Sequence, residues 1–194
     1  DLFATASGLE SMVIGEREIA GQMRRAAHTA WEDGTLSCDL GRAAERASAT
    51  SRRVATETGL AGAGRSVVAV GLDMAAAHLG PWEDTLVLIV GTGAYAGATV
   101  SALNALGASD VAVYSTSGRA REFAQGRGIG WVDASHLPSA LERADLVVTC
   151  RGLGSPVLTR DMAAASGRTV VLDLALMRDT ESSVASLPNV TLID

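Results

Sequence analysis

Two rhythms divide the apolar positions of this chain. From Asp1 to about Leu60 they recur at helical spacing, and no run reads as a strand. Ile19, Ala20, Met23, Ala27, Ala30 and Trp31 form one stripe over 16–31, closed by Gly34. Leu40, Ala43, Ala44, Ala47 and Val54 form a second over 36–58, with Gly59 as its stop. Ala61-Gly62-Ala63-Gly64 is a natural joint. A third helix is predicted from about Ser66 to Leu79, ending at Gly80-Pro81. After Pro81 the pattern changes. Leu86–Val90 is a continuous apolar run, as expected for a strand covered on both faces. Similar runs follow at 111–114, 146–149 and 170–174, with helical patterns between them at 94–106, 119–127, 138–143 and 159–165. Such alternation predicts a parallel sheet with helical crossovers. The expected division is a helical part over 1–63 and a sheet-forming domain over 64–194.

Composition narrows the chemistry. The chain of 194 residues is 47% apolar and 20% charged, with net charge −6, which is too apolar for disorder. The acidic balance argues against broad nucleic-acid binding but leaves room for a local arginine patch. All 16 basic residues are arginine. Without lysine, Schiff-base chemistry, pyridoxal phosphate anchoring and a Walker-type phosphate loop are excluded for these residues. The Ala- and Arg-rich composition points to a GC-rich bacterial genome. Cys38 and Cys150 lie far apart and make no metal spacing, so a reduced, cytoplasmic protein is expected. Residues 85–109 carry no charge, but four glycines and several polar residues favour a strand and a small-residue helix over a membrane span. No signal peptide is expected, and the start at Asp1 reads as an internal cut through a longer protein.

The main motif is Gly91-Thr92-Gly93-Ala94-Tyr95-Ala96, a GxGxxA turn directly after the first strand and opening a helix. The first glycine permits the tight turn, the second lets a pyrophosphate approach the backbone, and the small third residue lets helix and strand pack closely. The helix N terminus then offers N–H groups to phosphates. In this context the turn predicts dinucleotide binding on a Rossmann-like, doubly wound sheet. The second strand ends at Tyr114-Ser115-Thr116-Ser117, where an NAD site usually places an acid, and none is present. Ser115, Thr116, Ser117 and Arg119 suit a 2′-phosphate and hence NADPH; they also read as a serine-rich turn followed by a solvated arginine.

Other candidates read as structural. His28 is expected to be partly exposed, His78 to sit at a helix C terminus, and His136 to precede a turn. Cys150 ends the third run of the sheet, on the ligand side, where it could line the nicotinamide pocket or be inert. Cys38 sits near a helix start with no basic partner. The doublets Arg24-Arg25 and Arg52-Arg53 read as solvated helix faces.

Residues 6–16, Ala-Ser-Gly-Leu-Glu-Ser-Met-Val-Ile-Gly-Glu, with Ile19 and Gly21-Gln22, resemble the signature of the glutamyl-tRNA reductase family. So do Arg53–Gly59, the 91–96 turn, Asp145-Leu146-Val147, and Asp173-Leu174-Ala175 with Arg178-Asp179, in the family's order over the whole chain. The resemblance implies NADPH-dependent reduction of glutamyl-tRNA to glutamate-1-semialdehyde at the start of tetrapyrrole synthesis. It implies a cysteine that attacks the acyl ester, followed by hydride reduction of the thioester. It also implies an end-piece of the catalytic domain over 1–63 and an NADP(H) domain over 64–194. Ser11, Glu16 and Gln22 match the glutamate-pocket residues. Gly91, Thr92, Gly93, Ala94 and Tyr95 match the cofactor loop. Glutamyl-tRNA and glutamate-1-semialdehyde aminomutase are the implied partners, and the family is homodimeric through a region not in this chain.

The chain departs from the family's pattern at several positions, most seriously at the cysteine and the histidine. The family's arginine after the second strand is here Thr116, its Ser-Thr-Gly segment is Cys150-Arg151-Gly152, and its Ala-Val-Pro-Arg-Asp is Ala175-Leu176-Met177-Arg178-Asp179. The family histidine falls on Asp1, and its cysteine lies upstream of it, so the chain as given is expected not to turn over glutamyl-tRNA. Two competing expectations are a divergent relative that only binds a nucleotide or partner, and a shikimate-dehydrogenase-like enzyme. The latter asks for a Lys–Asp pair, which a lysine-free chain does not supply.

Overall fold

The computed structural model describes residues 1–10, 17–58 and 67–194. The chain divides into two compact units, Asp1–Val67 and Val68–Asp194. The expected boundary at 63/64 lies outside the described residues.

The first unit is helical: α1 (Leu2–Ala6), α2 (Arg17–Glu32) and α3 (Cys38–Glu57). Gly34 takes φ +67°, the left-handed conformation that lets the chain leave α2. Ser37 then caps α3, its Oγ accepting from the Leu40 N–H at 3.3 Å. Arg53 and Glu57 form a two-bond pair one turn apart at 3.1 and 3.3 Å. The Arg52-Arg53 doublet is therefore half engaged within its own helix.

The second unit opens with α4 (Val67–Ala76), which ends about a turn before the expected Leu79. A short 3-10 turn at Trp82–Asp84 leads into β1 (Leu86–Val90). Then follow α5 (Ala94–Leu106), β2 (Asp110–Tyr114), α6 (Ala120–Gln125), β3 (Gly130–Val132), α7 (Leu137–Arg143), β4 (Leu146–Thr149), α8 (Arg160–Ala164), β5 (Thr169–Asp173), a 3-10 turn at Ser182–Ser186 and β6 (Val190–Ile193). The six strands run in the order β3-β2-β1-β4-β5-β6, and every pairing is parallel.

Alternate strand residues enter two separate cores. Val87, Ile89, Val111, Val113, Leu146, Val148, Val170 and Leu172 pack on one face with Leu72, Val100 and Leu103. Leu88, Val90, Tyr114, Val147 and Val171 pack on the other with Leu137, Leu141, Leu158 and Val184. This explains the unbroken apolar runs, since period-2 side chains are buried on both faces. Two strands escape the sequence pattern, β3 and β6. Both are short and lie at the sheet edges, where half-exposed positions leave no continuous run.

Candidate cofactor site

The chain runs outward from β1 to β2 and β3, then returns to place β4 on the other side of β1. That reversal is the switch point at which open parallel sheets hold ligands beyond their strand C termini. The glycine turn sits there. The Gly91 N–H donates to the Tyr114 carbonyl of β2 at 2.9 Å, and the Cys150 N–H donates to the Val90 carbonyl at 3.0 Å. Gly91 has φ +135°, a region L side chains rarely adopt. A Cβ on it would stand 3.0 Å from the Cys150 Sγ and 3.3 Å from the Cys150 carbonyl.

Gly93 is a different case. Its backbone is extended, and a Cβ there would meet nothing within 4 Å. The space beside it is open, as close approach of a pyrophosphate requires. Gly93 caps α5 with no side-chain hydrogen bond to the helix end, which favours an anion at that position. Ala96 is fully buried beneath the turn, in the role expected for the small third residue. Thr92 and Tyr95 are half-buried and Ala94 is exposed. These residues fit a dinucleotide.

After β2 the hydroxyls gather into one cluster. Ser115 Oγ and Ser117 Oγ lie 2.9 Å apart, and the Ser117 N–H donates to Ser115 Oγ at 3.3 Å. Arg119 Nε donates to Ser117 Oγ at 3.0 Å. The segment Ser115–Arg119 contains no carboxylate.

After β4 a set of buried carboxylates ties the loops. Asp179 is fully buried and accepts from the backbone N–H groups of Arg151 and Gly152. Asp173 accepts from the N–H groups of Ala175, Asp179 and Thr180 at 3.1, 2.9 and 2.8 Å. Asp173 and Asp179 thus have a physical role, joining the loops that follow β4 and β5. Cys150 is buried, its Sγ 3.6 Å from the Val90 carbonyl. Burial first, and the Asp179 and Asp173 charges after it, push its thiol up to about 12. Such a thiol is a poor nucleophile at neutral pH.

Arg151 is a site residue that the sequence pattern does not single out. Its Nε lies 3.6 Å from Asp179 Oδ1, its Nη2 donates to the Ser155 carbonyl at 2.5 Å, and its Nη1 donates to Thr116 Oγ1 at 3.3 Å. The signal that could have found it is its position just beyond the end of β4, at the switch point.

Ser11 and Glu16 lie outside the described residues, and Gln22 is half-buried on α2. His28 is exposed and pairs with Glu32 at 3.3 Å. His136 pairs with Asp133 at 2.9 Å at the start of α7. Cys38 is exposed. A cavity of about 340 Å³ lined by His78, Asp84, Asp145 and Arg168 opens at the other end of the strands. Among the described residues no cluster of His, Cys, Asp and Glu could hold a metal, and no helix is long and apolar enough to cross a membrane.

Comparison with known proteins agrees with both units. The glutamyl-tRNAGlu reductase N-terminal domain profile matches residues 1–58, and the shikimate / quinate 5-dehydrogenase profile matches 73–194. A glutamyl-tRNA reductase of Kocuria rhizophila is 50% identical over 193 residues, covering 99% of this chain and 44% of that protein. One from Clavibacter michiganensis is 48% identical over 200 residues, covering 100% and 46%. The chain belongs to the glutamyl-tRNA reductase family. It spans a little under half the length of these curated relatives. The glutamyl-tRNA reductase structure from Methanopyrus kandleri superposes with a TM-score of 0.61 at 32% identity, covering 98% of this chain and 50% of that one. A dipicolinate synthase structure from Bacillus halodurans, with a TM-score of 0.54 at 22% identity over 64% of this chain and 43% of its own, shares the fold. A reductase family and a dehydrogenase profile over the glycine turn indicate a nicotinamide dinucleotide as the cofactor class.

Proposed function

We propose that the whole protein is an NADPH-dependent reductase of glutamyl-tRNA, forming glutamate-1-semialdehyde for tetrapyrrole synthesis. In this proposal residues 1–63 are the helical end of the catalytic domain and 64–194 hold the cofactor. The observation that carries it is the GxGxxA turn at the β1/β4 switch point of a chain 50% identical to a glutamyl-tRNA reductase over nearly its full length. When bound, NADPH supplies the hydride that reduces the activated glutamyl group.

This chain's residues bind and orient that cofactor. Gly91 makes the turn, and Gly93 with the N terminus of α5 takes the pyrophosphate. The Ser115, Thr116 and Ser117 hydroxyls with Arg119 take the 2′-phosphate, and the lack of a carboxylate there disfavours NADH. Ser11, Glu16 and Gln22 hold the ammonium and carboxylate of the glutamyl group. The buried thiol of Cys150 is not the acylated nucleophile, since burial keeps it protonated. Glutamyl-tRNA is then the substrate, with the aminomutase that consumes the aldehyde and a second copy of the whole protein as partners.

The test is an assay of the whole gene product with glutamyl-tRNA and NADPH, trapping the aldehyde. Aldehyde formation that depends on both substrates is expected. Dinucleotide binding without any aldehyde would instead favour a relative that only binds.

A further inference from the structure

β2 and β4 flank β1, so the loops that follow them face each other across the glycine turn. One long side chain bridges that gap. Arg151, on the β4 side, brings Nη1 to 3.3 Å from Thr116 Oγ1 on the β2 side. Its side chain is only 14% exposed, and Nε lies 3.6 Å from the fully buried Asp179 carboxylate. That Nε is buried without a hydrogen-bond partner. Nη2 is taken by the Ser155 carbonyl and lies 3.5 Å from Ser155 Oγ. The guanidinium is therefore fixed on its Asp179 and Ser155 sides, and its Nη1 edge is turned toward the hydroxyl loop. A planar fork of five donors fixed in this way suits a phosphate better than a single long bond to a threonine. Across the same loop Arg119 holds Ser117 Oγ at 3.0 Å. Two arginines thus bracket the hydroxyls of Ser115, Thr116 and Ser117. Asp179 is the carboxylate facing Arg151, and it is also engaged by two backbone N–H groups.

We propose that Arg151 is the residue that selects a 2′-phosphorylated dinucleotide, taking over from the β4 side the role that an arginine at position 116 would play from the β2 side. The inference rests on the NADPH reading above and adds a specificity residue to it. The alternative role for Arg151 is a brace for Asp179, and the two roles differ in what they discriminate. A brace affects every dinucleotide alike, whereas a 2′-phosphate contact affects only NADPH.

The experiment compares NADPH with NADH, and 2′,5′-ADP with 5′-AMP, by titration of the full chain and its variants. The unaltered chain should prefer the 2′-phosphorylated member of each pair. Arg151→Gln should weaken NADPH by roughly tenfold or more and NADH by less than about threefold. The double variant Arg151→Gln with Thr116→Arg should regain the preference, since it returns an arginine to the opposite loop. A second measurement needs no variant: the Arg151 Nε–H resonance should shift on adding 2′,5′-ADP and not on adding 5′-AMP. Equal weakening of NADPH and NADH, unchanged NADPH affinity, or a resonance indifferent to the 2′-phosphate would overturn the role of Arg151 while NADPH selectivity stands. An unaltered chain that does not discriminate the pairs would overturn both.

Discussion

A Cβ on Gly91 would stand 3.0 Å from the Sγ of Cys150, so the glycine turn and the residue that follows β4 are packed against each other at the switch point. Gly93, two residues on, faces open space. The two glycines of one motif therefore serve different ends, the first the fold and, on the function proposed above, the second the ligand.

Alanine at each position should separate these ends. Gly91→Ala combines a φ of +135° with a clash against buried Cys150, and should cost ~1–3 kcal/mol of stability. Gly93→Ala adds a methyl to empty space at an extended residue and should cost no more than ~1 kcal/mol, the usual loss of a glycine cap. It should nevertheless weaken both NADPH and NADH by about tenfold, because the methyl occupies the pyrophosphate's approach. Thermal unfolding and dinucleotide titration of each variant check the contrast.

Cys150 should be silent to thiol reagents in the folded chain. At pH 8, iodoacetamide should modify exposed Cys38 and leave Cys150 intact until denaturant is added. The same raised thiol couples to stability. The unfolded thiol ionises near 9.0 and the folded one is pushed up to about 12, so the folded state holds the extra proton between them. Stability is then fully present below pH 9 and lost as pH rises toward 12, with a slope approaching ~1.4 kcal/mol per pH unit. Urea unfolding across that window should show a shallower fall for Cys150→Ala.

Asp179 should be the most costly polar residue of the cofactor end. Replacement by alanine strands the Arg151 guanidinium and the Arg151 and Gly152 N–H groups, for a loss of ~3–5 kcal/mol. Asp179→Asn keeps one acceptor oxygen and should lose less. Equilibrium unfolding in urea orders the two variants.

Gly71 on α4 tests the helix packed against the sheet. A Cβ there would lie 2.9 and 3.1 Å from the Leu172 methyls and 3.2 Å from a Leu174 methyl. Leu172 is 2% exposed and packed within the core, so its methyls must shift against buried neighbours. Gly71→Ala should therefore destabilise by ~1–3 kcal/mol of overpacking, outweighing a helix-propensity gain of ~1 kcal/mol. A raised melting temperature would sink this account.

Most of the architecture is legible without coordinates. The run Leu86–Val90, the GxGxxA turn and the helix from Ala94 to Leu106 reappear with those bounds. Burial on both faces leaves continuous apolar runs, and a turn of this kind needs glycine in a set place. The edge strands β3 and β6 are not legible, because a short half-exposed strand carries little hydrophobic signal. Within the site, Gly91, Gly93 and the Ser115–Arg119 cluster emerge from spacing, because they are neighbours in the chain. Arg151 does not, because Thr116 lies 35 residues away along the backbone.

That separation marks the limit of the sequence. Hydrophobic periodicity and glycine placement are local, so the order of residues alone specified strands, helices, the cofactor turn and the family. Which loops meet depends on strand order, and the β2-β1-β4 arrangement is a product of the folded sheet. Only in that arrangement does Arg151 reach Thr116, Asp179 lie against Arg151, and Cys150 press on Gly91. Contacts across β1 rest on the packing of distant segments, and no pattern along the chain encodes them on its own.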